Sequence, residues 1–219
     1  MFHEGYLYES TGDFRNSSLR KVDPVTGEVI RSARIEGYFA EGLCLVNETL
    51  YLLTWKKKML LLIDLETLAI TKEHSFVTTR GEGWGITYSD HPSLKKPQLV
   101  VSDGSEFLHF WDTSTLEETK RLKVFDPVSK KPIRRLNELE FIEDELLANI
   151  WYSQHIARIN VTTGELIGSY DFSHKYLSFE RTKGEDVLNG IAYDKSNKEL
   201  YVTGKLWRHV LRVKLPDAG

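Results

Sequence analysis

The sequence predicts an all-β chain folded as a five-bladed β-propeller of four-stranded antiparallel blades. Three observations predict it. A unit of related pattern returns at about 40 to 50 residues, Asp- or Asn-led turns recur at one place within that unit, and no long stretch shows the apolar spacing of a helix.

The unit has four parts. It opens on a short strand that passes from polar to apolar, at 41–45, 83–87, 136–141 and 188–193. A second strand ends in small, polar or tryptophan residues, at 50–55, 99–105, 146–151 and 200–207, with 7–12 as the first copy. A third runs into Asp or Asn, at 19–23, 60–64, 107–112 and 156–160. The following turns include Asp23-Pro24-Val25-Thr26-Gly27 and Asn160-Val161-Thr162-Thr163-Gly164. In such turns the leading side chain bonds backbone two residues on and the glycine takes positive φ. A fourth, charge-rich strand at 29–35, 70–76, 120–124 and 166–172 fits an exposed outer position. By this count the first unit lacks its inner strand and the last, ending near Leu215, lacks its outer one. The chain therefore reads as a propeller short of about two N-terminal strands, with open sheet edges where they would lie.

The chain has 219 residues, 41% hydrophobic and 11% aromatic, which suits a single domain over 1–219. Net charge is −3 with both signs scattered, so no nucleic-acid or anionic-membrane footprint is expected. The apolar run around Met59 to Ile63 is far too short to span a bilayer. A small or peptide ligand and a monomer are expected. Cys44 is the one cysteine, set among Leu43, Leu45 and Val46, and reads as a buried strand thiol without a catalytic role. Sequons at Asn16, Asn47 and Asn160 point to a secretory route, although no charged and apolar leader opens at Met1. Zincin, Walker, nucleophile-elbow and Rossmann motifs are absent, and the histidines lack metal-ligand spacing, so no catalytic zinc site is expected. Polar loops are expected at 90–97 and 175–185.

Inner strands of a propeller line its channel, and the loops at one end form a mouth where ligands bind. Equivalent repeat positions converge there: Glu41, Trp84, Asn137 with Glu138, and Asn189 from inner strands, plus Trp55, Trp151, Lys205 and Trp207 near second-strand ends. A carboxylate among aromatics is desolvated and becomes a proton shuttle near neutral pH, which makes Glu41 the acid/base candidate. The residues alone permit plainer readings as well. Glu41 then caps a strand, the tryptophans pack blade on blade, Lys205 is a solvated strand end, and Asn137 and Asn189 bind inner-ring backbone.

Several blocks resemble the plant and bacterial type of glutaminyl cyclase, the glutamine cyclotransferase family. They include Phe39-Ala40-Glu41-Gly42-Leu43, Gly83-Trp84-Gly85, Leu136-Asn137-Glu138-Leu139-Glu140, Ala148-Asn149-Ile150-Trp151, Val187-Leu188-Asn189-Gly190-Ile191-Ala192 and Thr203-Gly204-Lys205-Leu206-Trp207, in family order from about Tyr8 to Leu215. The resemblance implies closure of a peptide's N-terminal glutamine to pyroglutamate with loss of ammonia. It implies Glu41 as the catalytic glutamate, and Phe39, Trp55, Trp84, Asn137, Trp151 and Lys205 as the substrate pocket. It implies no required cofactor, while a structural calcium ion in the channel, as some family members hold, is a further expectation of the resemblance. An F-T-Q-G-L inner strand that the family carries has no counterpart before Glu4. Ala40 stands where glycine is usual, and Tyr152-Ser153-Gln154 replaces a Gln-Thr/Ser-Asp run. A non-catalytic peptide- or protein-binding propeller is the competing expectation.

Overall fold

The computed structural model describes residues 1–92, 94–176 and 182–215. Blade 1 is built from β1 (Phe2–His3), β2 (Tyr6–Thr11), β3 (Ser18–Val22) and β4 (Val29–Arg34). Blade 2 holds β5 (Ala40–Val46), β6 (Thr49–Thr54), β7 (Met59–Asp64) and β8 (Ile70–Ser75). Blade 3 holds β9 (Ile86–Ser89), β10 (Gln98–Ser102), β11 (Phe107–Asp112) and β12 (Glu118–Lys123). Blade 4 holds β13 (Leu136–Ile142), β14 (Glu145–Ile150), β15 (His155–Ile159) and β16 (Leu166–Asp171). Blade 5 has three strands among the described residues, β17 (Leu188–Asp194), β18 (Glu199–Gly204) and β19 (Leu211–Lys214). Each sheet is an antiparallel meander in chain order, and the first strand of each faces the channel. Among the described residues no helix is long and apolar enough to cross a membrane.

The propeller expectation therefore holds, with one correction. The inner strand of blade 1, read from sequence as missing, is present as the two-residue β1, with Phe2 opposite Leu7 and His3 opposite Tyr6. Two residues carry no repeat signature, so the pattern could not show them. The fourth strand of blade 5 is indeed not seen among the described residues. Inner strand β9 also starts three residues later than the expected 83; in the lead-in, Gly83 N and Trp84 O bond to Trp55 and Gly42 of blade 2, while Trp84 N and Gly85 O bond to Ser102 of the same blade. The expected loop at 90–97 includes Ser93, and the loop at 175–185 includes 177–181; these six residues lie outside the described set.

The turns follow the predicted chemistry. Asp23 Oδ1 accepts from the Val25 and Thr26 amides at 2.7 and 2.9 Å, and Asp112 Oδ1 from Ser114 and Thr115 at 2.8 and 3.0 Å. Asn160 Oδ1 accepts from Thr162 and Thr163 at 2.9 and 3.1 Å. Gly27 and Gly164 close two of these turns at φ 73° and 78°. In the turns led by Asp64 and Asp112 the same position is filled by Leu68 and Leu116, at φ 58° and 62°. Both leucines are buried between blades, which offsets the roughly 1–2 kcal/mol cost of that backbone for an L-residue.

The core is divided among the seams between blades, because each sheet is apolar on both faces at its middle strands. One buried cluster joins blades 1 and 2 around Leu19, Leu50 and Ile63, and another joins blades 2 and 3 around Leu53, Leu60 and Trp111. A third joins blades 3 and 4 around Phe110 and Leu146, and a fourth joins blades 4 and 5 around Leu188 and Leu200. Leu7, Ala192 and Tyr201 close the ring, where Phe2 stacks on Tyr201 at 5.3 Å between ring centroids. Cys44 is buried as expected, and burial pushes its thiol well up.

Candidate functional site

Three inner strands carry an irregularity at the same place. Pairing of β5 with β6 shifts between Ala40 and Leu43, of β13 with β14 between Leu136 and Leu139, and of β17 with β18 between Leu188 and Ile191. The residues within these bulges are Glu41-Gly42, Asn137-Glu138 and Asn189-Gly190. A bulge frees two residues from the ladder and re-aims their side chains. The candidate polar residues thus stand at the mouth end of three channel strands for one geometric reason.

Glu41 is held by its backbone, whose carbonyl accepts from the Ser10 hydroxyl, while Gly42 N donates to Trp84 O at 2.7 Å. Burial pushes the Glu41 carboxyl up to about 7; the charge of Lys205 works against that rise and the charge of Glu82 adds to it. Glu41 and Lys205 belong to blades 2 and 5, so closure of the ring through blade 1 is what brings them within electrostatic reach.

Aromatic rings form two groups around the mouth. Phe39 packs on Trp55 at 5.4 Å, and Phe14 packs on both, at 5.0 and 5.9 Å. Trp84 meets Trp151 edge-on at 5.3 Å, and Trp151 meets Tyr152 at 4.3 Å. Glycines make room for these rings: a Cβ on Gly12 would lie 2.2 Å from the Phe39 ring, and one on Gly104 would lie 2.6 Å from that of Trp84. The two groups are joined by Glu82, whose Oε2 accepts from Trp55 Nε1 at 2.9 Å and from Trp84 Nε1 at 2.8 Å.

The structure thus places Glu41, Phe39, Trp55, Trp84, Trp151 and Lys205 around one end of the channel. Asn137 lies at the same end, and the expectation that its side chain binds inner-ring backbone is corrected. Its backbone carbonyl accepts from Ser102 Oγ at 2.7 Å, but its Oδ1 is buried with no partner, as is Asn189 Oδ1. An asparagine that does bind inner-ring backbone is Asn149, which accepts from Gly190 N at 2.9 Å. A buried acceptor without a donor costs about 1–3 kcal/mol, so Asn137 Oδ1 is an acceptor that a ligand's N–H would satisfy. Trp207 instead ties down the connection between blades 4 and 5, donating to Asp186 O at 2.8 Å and packing on Tyr176.

Sequence reasoning missed Glu82 and Phe14, which lie in loops outside the strand register. A signal for Glu82 was present: Glu-Gly before an apolar residue occurs at 41–43 and again at 82–84. On the same inner strand as Asn137, burial pushes Glu138 up to about 8 and Glu140 up to about 7, opposed by the Met1 ammonium. Among the described residues no three His, Cys, Asp or Glu side chains are grouped to hold a metal ion.

A family model described as glutamine cyclotransferase matches residues 1–215. The chain belongs to the glutamine cyclotransferase family. Its sequence is 37% identical over 216 residues to a glutaminyl-peptide cyclotransferase of Arabidopsis thaliana, covering 97% of this chain and 64% of the relative. The chain thus spans just under two thirds of that relative's length. A crystal structure of Myxococcus xanthus glutaminyl cyclase superposes with a TM-score of 0.85 at 30% identity, over 97% of this chain and 87% of the other. The β-propeller domain of Cps50 (Swd1) from Myceliophteria thermophila, at 16% identity and a TM-score of 0.53, covers 96% of this chain and 62% of its own, and shares the propeller fold alone. As a cyclotransferase-family propeller, the chain carries its candidate residues at the ends of first and second strands, where side chains from separate blades meet.

Proposed function

We propose that this chain is a glutaminyl-peptide cyclotransferase, with Glu41 as the single acid/base. The observation that carries the reading is Glu41, desolvated in the β5 bulge beside the Trp84 backbone, with Lys205 as the opposing charge. Family membership supports the substrate class, an N-terminal glutamine of a peptide or protein.

The reaction needs a base that becomes an acid. A carboxyl near pKa 7 exists in both forms at neutral pH, so proton transfer in either direction is easy. Glu41 takes a proton from the substrate's α-amino nitrogen as that nitrogen bonds to the γ-carbonyl carbon. The bond from that carbon to the side-chain amide nitrogen then breaks, and Glu41 returns the proton to the departing ammonia. Charge on the γ-carbonyl oxygen requires fixed donors, for which the Lys205 ammonium and an indole N–H are the candidates. Asn137 Oδ1 would accept an N–H of the substrate, and Phe39, Trp55, Trp84 and Trp151 would hold the glutamine side chain folded toward its own amine. Substrate supplies both nucleophile and leaving group, so the mechanism calls on no cofactor.

The test is ammonia release from a glutaminyl dipeptide. Glu41→Gln should keep the shape of the site and lower kcat by roughly 10²- to 10⁴-fold. Full turnover by that variant would sink the assigned role, and a folded wild-type chain with no turnover would sink the reading itself.

A further inference from the structure

We propose that Glu82 is a second substrate-binding carboxylate of the mouth, placed to receive the α-ammonium of the peptide's N-terminal residue beside Glu41. The inference rests on the cyclase reading for the identity of that residue, and on geometry for the rest.

The carboxylate is fixed before any ligand arrives. Thr78 Oγ1 donates to Glu82 O at 2.7 Å and accepts from Glu82 N at 3.1 Å, and Gly81 N donates to Thr78 O at 3.2 Å. The same loop is pinned to blade 3, where Arg80 N donates to Asp103 Oδ2 at 2.6 Å. Gly83 N donates to Trp55 O at 3.0 Å, which ties the end of the loop to blade 2. Both ends of this short turn are therefore anchored to separate blades, and the side chain between them is oriented by two indoles.

Those indoles are neutral, so they orient the carboxylate without cancelling its charge. Both donate to Oε2. A carboxylate offers about four acceptor positions over two oxygens, so Oε1 retains capacity for the N–H groups of an ammonium. The charge of Glu82 reaches Glu41, since it contributes to the rise of that carboxyl. Two carboxylates meeting at one aromatic-walled mouth suit a cation, and the cation every unblocked peptide carries is its α-ammonium. An ammonium held at Glu82 gives one proton to Glu41 and becomes the nucleophilic amine; with the second proton that the amine loses on ring closure, the side-chain nitrogen departs as ammonium, so one carboxylate holds the amine and the other carries its proton. Recognition of the free amine would also restrict the enzyme to chain ends, since an internal or acetylated glutamine has no such cation.

The experiment measures binding apart from turnover. In a Glu41→Gln background, quenching of tryptophan emission is titrated with glutaminyl-alanine amide and with its N-acetylated form. The free-amine peptide should bind roughly tenfold more tightly or better, as a charge-assisted hydrogen bond provides. Adding Glu82→Gln keeps an oxygen for the indoles but removes the charge. That double variant should lose the preference, weakening the free-amine peptide roughly tenfold and leaving the acetylated one unchanged. A preference that survives Glu82→Gln overturns the proposal, as does equal weakening of both peptides, which would mean that Glu82 only supports the ring walls. Failure of both peptides to bind in the Glu41→Gln background overturns it too. Ammonia release by the wild-type chain is scored separately, so a Glu82-dependent preference without turnover would remove the cyclase reading and leave the amine site standing.

Discussion

Between blades 3 and 4, twelve buried side chains interlock in one cluster, among them Leu108, Phe110, Leu139 and Ile159. Between blades 5 and 1 the buried cluster among the described residues is Leu7, Ala192 and Tyr201, with Phe2 and Val22 half-buried beside them. The difference teaches where the ring is held and where it is only closed. Four seams join blades that follow one another in sequence, and the fifth joins the two ends of the chain with a fraction of the apolar contact. Glu41 and Lys205 face each other across blade 1, so the charge balance of the site depends on the thinnest seam.

The largest expected effect tests the thick seam. Phe110→Ala should cost about 3–5 kcal/mol and lower Tm by roughly 10 °C, read by calorimetry. A smaller loss than that of the corresponding change at the closing seam would break the comparison.

The next effect loads the ring from inside. Glu138 is raised from 4.5 to about 8 by burial, and the charges of Glu140 and Glu41 add to the rise while the Met1 ammonium opposes it. Between those values the folded state holds a proton that the unfolded state has released, so stability falls as pH climbs from 4.5 to about 8. Glu138→Gln should remove that loss, raising Tm by several degrees at alkaline pH and leaving it unchanged at pH near 4. Tm values of the two proteins at both pH extremes check it, and equal gains at the two would contradict the assigned cause.

Smaller again is Phe2→Ala at the closing seam. Loss of the stack on Tyr201 should cost about 1 kcal/mol, a shift of a few degrees. The finest discrimination is kinetic. Loosening the closing seam moves Lys205 away from Glu41, so Phe2→Ala should shift the acid limb of kcat/KM slightly upward, while Phe110→Ala leaves it in place. A shift in both variants would mean that the seams are mechanically equivalent.

The meanders and turns were legible in the sequence because their physics is local. An Asp that bonds the amides two and three residues on, as Asp112 does, is written in four adjacent letters. The convergence of Glu41, Asn137 and Asn189 was legible as repeat position, but the bulges that aim them were not, since a bulge is a property of the pairing of two strands. Glu82 escaped because its meaning lies in two indoles from different segments, one of them 27 residues away along the chain. Which of its two readings fits the Asn137 side chain was not legible for a related reason: whether a buried amide oxygen finds a donor depends on packing between blades. Strand β1 was invisible because two residues cannot show a period of two.

The closing seam also sets an order of events. Each blade is a run of consecutive hairpins, and each of the first four seams can form once the following blade has been made, so these steps need only short-range encounters. The fifth requires the first strands of the chain to meet the last, a long-range search that pays the largest loop-closure entropy. Lys205 arrives opposite Glu41 only at that step. A growing or partly folded chain would therefore hold most of its core and an aromatic half-mouth before Lys205 could balance the charge of Glu41, the proposed acid/base, so the site would be completed last.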